Sequence, residues 1–212
     1  MASKVFLGLI VFSLLGTALS RLLNLDPGLI APVTSALTIL AGVWAAFDGV
    51  WNSELPTGAA TVAALGAFAE LFGLRYGLPF GRYVYTDAWA PILTTAVGPF
   101  PILLPFAWLM ITAAATRWVG HPVLAGLVAA SVDLVMEPVV VNVLGYWRWL
   151  EDGPLPGGVP ILNFCGWWVV STLGAMILKR FSLKSDGGGW MVLAGHLGLL
   201  CGLALLDFVF RK

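Results

Sequence analysis

Residues 123–144 read VLAGLVAASVDLVMEPVVVNVL, and Asp133 and Glu137 are their only charged positions. A run of this length and apolarity suits one helix crossing a lipid core, which takes about 20 residues at 1.5 Å each. Working outward, comparable runs occupy 5–25, 29–51, 57–74, 90–117, 161–179 and 190–210. Helix-breaking residues separate them: Asp26-Pro27-Gly28, Pro56, Gly77 to Gly81, Gly120-His121-Pro122, the proline-rich stretch 154–160, and Gly187-Gly188-Gly189. The pattern predicts an all-α, polytopic integral membrane bundle of about seven transmembrane helices, forming one domain over 1–212.

Composition excludes the soluble alternative. Of 212 residues, 59% are hydrophobic and 10% charged, whereas a soluble domain carries about a quarter charged residues to solvate its surface. The formal net charge is zero, so nothing points to nucleic acid as a partner; membrane lipid is the partner the surface demands. Cys165 and Cys201 sit in apolar runs without a CxxC or Cys/His spacing, so they read as small hydrophobes and no metal site is expected. The first run, after Lys4, resembles a signal peptide in outline, but with further spans following it reads as a first transmembrane helix.

The span at 90–117 is irregular. Pro91, Pro99, Pro101 and Pro105 interrupt it, and each proline removes a backbone donor and clashes with the preceding turn. Such backbone is tolerated at membrane depth only where protein or a cavity covers it. The reading is a short re-entrant or interfacial piece followed by a helix starting near Pro105. Lys and Arg number five on the N-terminal side of the bundle and six, Lys212 included, on the other. Setting aside Arg75, Arg82 and Arg148, which lie in polar-aromatic clusters, tips the balance towards a cytoplasmic N-terminus.

Ionisable side chains within spans are costly and are functional candidates by default. Glu70, Asp133, Glu137 and Asp207 qualify. Asp133 and Glu137 are four apart and share a helix face. Each acid has a purely structural alternative, pairing with Arg75, Arg82 or Arg148. Asp207, near Arg211, reads as an interfacial ion pair. His121 and His196 read as structural, the latter as a hydrogen-bonded core histidine. Three aromatic clusters fall on one membrane side: 81–87 with Arg82, Tyr83 and Tyr85; 145–149 with Tyr146, Trp147 and Arg148; and 163–168 with Asn163 and Trp167. Part of this is the aromatic belt at the lipid–water boundary. Acids beneath an aromatic rim also form a pocket for an apolar molecule that reacts through a cation. A carboxylic acid in a low-dielectric site can remain protonated as a donor, and tryptophan faces stabilise positive charge. No HExxH, histidine cluster, phosphate-cradling glycine loop or Asp-rich motif occurs, which argues against di-iron oxidation, zinc proteolysis, nucleotide-driven pumping and diphosphate chemistry.

Several stretches together resemble the CruF-type carotenoid 1,2-hydratases: Glu70-Leu71-Phe72-Gly73, Gly81-Arg82-Tyr83-Val84-Tyr85-Thr86, Pro105-Phe106-Ala107-Trp108, Asp133-Leu134-Val135-Met136-Glu137-Pro138, Gly145-Tyr146-Trp147-Arg148-Trp149 and Gly158-Val159-Pro160-Ile161-Leu162-Asn163-Phe164. Trp89-Ala90-Pro91 departs from the Leu-Gly-Pro-like turn expected there. The resemblance implies a multi-pass enzyme of a bacterial cytoplasmic membrane that adds water to the terminal double bond of an acyclic carotenoid ψ-end group. The implied substrate is dissolved in lipid, and no cofactor is expected. On this reading Glu137 or Glu70 supplies the proton, while Asp133 balances the cation and positions water. Tyr83, Tyr85, Tyr146, Trp147, Trp167, Asn163, Arg82 and Arg148 form the substrate pocket. Three alternatives stay open: a lycopene cyclase of the small membrane type, a proton-coupled transporter and a pigment-binding subunit. A water held by polar groups in the pocket separates hydratase from cyclase.

Overall fold

A computed structural model describes residues 1–26 and 28–211; Pro27 of the first breaker and Lys212 of the charge count lie outside the described residues. Seven helices run α1 Ala2–Leu23, α2 Ile30–Phe47, α3 Leu55–Tyr76, α4 Leu104–Val119, α5 Pro122–Asn142, α6 Ile161–Arg180 and α7 Trp190–Phe210. Their boundaries follow the punctuation of the sequence. Proline occupies the first turn of α3, α4 and α5, where its missing N–H costs nothing. Gly77 and Gly120 close α3 and α4 in the left-handed conformation that glycine adopts without strain.

All the helices except α4 are long and apolar enough to cross a membrane, and the chain is a multi-pass integral membrane protein. Their outward-facing side chains include Leu15, Leu22, Phe68 and Phe208, all exposed and solvated by lipid. At 16 residues α4 is the shortest helix. It lies at the centre of the bundle, against α2, α3, α5, α6 and α7, and every residue from Trp108 to Arg117 is buried. A helix apolar on most of its faces finds its place inside such a bundle.

The proline-rich start of the fourth span is a hairpin, β2 Ile92–Thr95 paired antiparallel with β3 Gly98–Pro101. Helix α4 begins at Leu104, beside the expected Pro105. A second small ribbon pairs β1 Tyr83–Tyr85 with β4 Trp147–Trp149. It joins the long α3–α4 and α5–α6 connections over the end of the bundle where α3 and α5 finish and α4 and α6 start. On the opposite end, Arg117 donates Nε and Nη2 to the two oxygens of Asp186 at 2.7 Å each. Its Nη1 reaches Ala45 O and Ala46 O at 3.2 and 3.3 Å. One side chain thereby fastens α4, α2 and the α6–α7 connection.

Candidate active site

The β1–β4 ribbon sets the geometry of the site. Strand side chains alternate between faces, and both segments read aromatic–x–aromatic. The register Tyr83↔Trp149, Val84↔Arg148, Tyr85↔Trp147 therefore puts four aromatic residues on one face, towards the bundle. Tyr83 packs edge-on against Trp149 at 5.5 Å, and Tyr85 against Trp147 at 5.9 Å.

The same alternation corrects the reading of the arginines. Arg148 stands on the outer face opposite Val84, and Arg82 is exposed and 3.7 Å from Glu151. Neither lines the cavity described below. No ion pair among the described residues involves Glu70, Asp133 or Glu137, so arginine pairing does not account for these acids.

Each acid is instead held by aromatic and amide donors. On α3, Glu70 is 4% exposed. Its Oε2 accepts from the Tyr83 hydroxyl and from that of Tyr85 at 2.8 Å, and its Oε1 accepts from Trp108 Nε1 at 2.8 Å. On α5, Glu137 Oε2 accepts from Trp147 Nε1 at 3.2 Å and Trp149 Nε1 at 3.1 Å. Asn163 Nδ2, from the first turn of α6, donates to Glu137 Oε1 at 3.2 Å and to Asp133 Oδ2 at 2.6 Å. Both oxygens of each glutamate are thus occupied. Asp133 is 1% exposed, and its Oδ1 is buried without a hydrogen-bond partner.

Glycine makes room for this arrangement. A Cβ on Gly66 would stand 2.7 Å from Trp108 Cγ, and one on Gly166 would stand 2.5 Å from Pro79 O. Those distances leave no space for even a methyl group. The indoles of Trp108 and Trp167 stack at 3.6 Å and 11°. Trp89 lies flat against Tyr146 at 5.0 Å and 6°. Among these, Trp89, Trp108 and Trp149 are not singled out as site residues by the sequence reading. Trp149 could have been found from its two-residue spacing to Trp147; Trp108 closes one of the resembling stretches, but no local pattern marks its contact with Glu70, 38 positions away in sequence.

A cavity of about 960 Å³ reaches all three acids together with Tyr83, Tyr85, Tyr146, Trp147, Asn163 and Trp167. Three buried side-chain atoms among the described residues lack a hydrogen-bond partner: Trp89 Nε1, Asp133 Oδ1 and His196 Nε2. All three residues line this one cavity. His196 is therefore not the hydrogen-bonded core histidine expected from the sequence. Asp207 forms the expected pair with Arg211, at 3.0 Å, and also meets Arg21 at 2.9 Å; His121 precedes the first turn of α5, away from the cavity lining.

The arrangement is an aromatic chamber with buried carboxyl groups, suited to protonating an apolar molecule and stabilising the resulting cation. No group of three or more His, Cys, Asp or Glu suited to a metal occurs among the described residues. No curated protein and no solved structure matches the chain. A family model described as carotenoid biosynthesis protein matches residues 30–188, which span α2 to α6 and so include Glu70, Asp133, Glu137, Asn163 and the tyrosines and tryptophans around them; His196 lies outside. The chain belongs to the carotenoid biosynthesis protein family.

Proposed function

We propose that the chain is a carotenoid 1,2-hydratase, adding water to the terminal double bond of an acyclic ψ-end group drawn from the membrane. The observation that carries this reading is Asp133 Oδ1, a buried carboxyl oxygen without a protein partner in a largely apolar cavity. Buried polar atoms are nearly always satisfied, and an exception calls for a ligand or a water. A polar foothold of this kind supports capture of a cation by water over capture by a neighbouring double bond, as cyclisation would require.

The hydrogen-bond pattern supports a reassignment of roles. Expectation gave the proton to Glu137 or Glu70. Glu137 faces only donors, two indole N–H groups and an amide, so a proton of its own would displace one of them. Asp133 in its acid form carries the proton on Oδ1, because Oδ2 accepts from Asn163. The proton passes to C2 of the end group, forming a C–H bond, and the π electrons leave C1 as a tertiary cation. Glu137 and the faces of Trp147 and Trp167 stabilise that charge. The oxygen of a water molecule bonds to C1, and its surplus proton returns to Asp133 Oδ1, leaving a tertiary alcohol and the acid restored. Glu70, enclosed by Tyr83, Tyr85 and Trp108, positions the aromatic wall.

The test is expression in cells that accumulate an acyclic carotenoid, with products identified by mass. A gain of one water supports hydration, an isomer of unchanged mass indicates cyclisation, and unaltered carotenoid sinks the reading.

A further inference from the structure

The cavity that holds the acids also includes a limb walled by α1, α2 and α7. Ser13, Gly16, Thr17 and Ser20 of α1 line it, and their spacing of three and four residues places them on one helix face. From Phe12 to Arg21, both lining residues, α1 advances about 14 Å at 1.5 Å per residue. That is the reach of several isoprene units in extended form, much more than an end group needs. The opposing α2 wall turns its hydroxyls inward on itself: Thr34 Oγ1 donates to Ile30 O at 2.7 Å and Thr38 Oγ1 to Thr34 O at 2.8 Å. What these residues offer the limb is largely methyl surface.

The outer wall is thin. Residues of α1 are buried only at Ala2, Phe6 and Ile10, and those of α7 only at Val192, Leu193 and Leu200. Beyond these positions the pair is seamed by Leu14 over Gly202, where a Cβ would stand 2.6 Å from Leu14 Cδ2. It is tied at the end by Arg21 and Asp207 at 2.9 Å. Both helices lie outside the residues matched by the family model. The chemistry and the limb are thus built by different parts of the chain.

We propose that this limb binds the polyene chain of the substrate, so that α1 and α7 select a long, linear isoprenoid while α3 to α6 act on its end. The inference rests on the hydration reading for which end reacts. It follows from the continuity of one apolar cavity with the acids and from the length of its α1 wall. Bilayer lipid in the limb is the alternative occupant.

The test uses the full-length protein in lipid nanodiscs. A Cβ at Gly16 meets no atom within 4 Å and Gly16 lines the limb, so Gly16→Phe introduces a ring there without a clash at Cβ. Gly8→Phe is the control, since its Cβ also meets nothing within 4 Å and Gly8 is absent from the lining. Binding of an acyclic carotenoid is read by quenching of tryptophan emission, and turnover by product mass. Gly16→Phe should weaken carotenoid binding and turnover by about ten-fold or more, as overfilling a site does. It should leave intact the turnover of a short acyclic terpenoid with the same terminal double bond, and Gly8→Phe should leave both unchanged. Carotenoid affinity in Gly16→Phe equal to wild type assigns the limb to lipid and overturns the proposal. If wild type hydrates neither substrate, the hydration reading fails, and the carotenoid affinities of the two variants still decide the limb.

Discussion

Asn163 Nδ2 stands 2.6 Å from Asp133 Oδ2, and the same nitrogen reaches Glu137 Oε1 at 3.2 Å. One amide from α6 therefore fixes which oxygen of Asp133 is left for substrate. Asp133→Asn removes the transferable proton while keeping size and most polar contacts. It should lower hydration by about a hundred-fold or more, the usual contribution of a positioned acid, with the folded yield in the membrane unchanged. Asn163→Leu should lower activity less than Asp133→Asn, because it frees Oδ2 but leaves the acid in place. Equal activity of Asp133→Asn and wild type would remove Asp133 from the chemistry.

Glu70 differs in kind. Its three donors come from β1 and α4, so it is a clamp between α3 and the aromatic wall. Tyr85→Phe removes one donor and should cost about 1 kcal/mol of stability. Glu70→Leu leaves Trp108 Nε1 and the Tyr85 hydroxyl without their acceptor, while Tyr83 keeps the main-chain O at 3.3 Å, and should cost about 2 kcal/mol, at roughly 1 kcal/mol or more for each buried group left unmet. Thermal unfolding in detergent reads both. If Glu70→Leu kept full stability yet lost all activity, Glu70 would be a reacting group and the clamp role would fall.

The membrane architecture was legible because lipid imposes a simple rule on α1, α2, α3, α5, α6 and α7: about 20 apolar residues between breakers. The acids were legible because charge is rare at that depth. The ribbon was not read as strand. Tyr83-Val84-Tyr85 and Trp147-Arg148-Trp149 carry the two-residue period of a strand, but each is three residues long. Too few repeats occur for that period to stand out from an interfacial aromatic cluster, and a cluster reading places Arg82 and Arg148 beside the aromatic side chains instead of on the opposite face. The pairing of β1 with β4 across more than sixty residues is a tertiary fact with no local signal. The same holds for the donors that surround Glu70 and for the part played by α1 and α7.

The Trp108–Trp167 stack tests the cation. With ring centroids at 3.6 Å and planes at 11°, each indole covers one face of the other, and the pair adds aromatic π surface to the chamber lining. Trp167→Leu keeps the wall apolar but removes that surface, and it should slow turnover about ten-fold, in line with roughly 1–2 kcal/mol for a desolvated cation–π contact. Carotenoid binding, which precedes any charge, should change little. A loss of binding equal to the loss of turnover would make Trp167 a packing residue.

Far from the chamber, the Arg117–Asp186 pair makes its own contribution to acid stability. The Arg117 hydrogen bonds are the main cause that holds the Asp186 carboxyl down at about 2, against an ordinary value of 3.8. A group with a depressed folded-state value stabilises the fold fully above its unfolded value and loses that contribution as pH falls through the folded one. Wild type should therefore lose stability between about pH 4 and pH 2 from this pair. Asp186 is 43% exposed, which keeps the pair's own contribution modest. Arg117→Met should remove that part of the acid slope. It should also lower stability at neutral pH by about 2 kcal/mol, since a buried guanidinium that bridges a carboxylate and two carbonyls is lost. Unfolding temperatures of both proteins across pH 7 to 2.5 decide the matter: parallel curves would show that Asp186 titrates in the same way without its arginine.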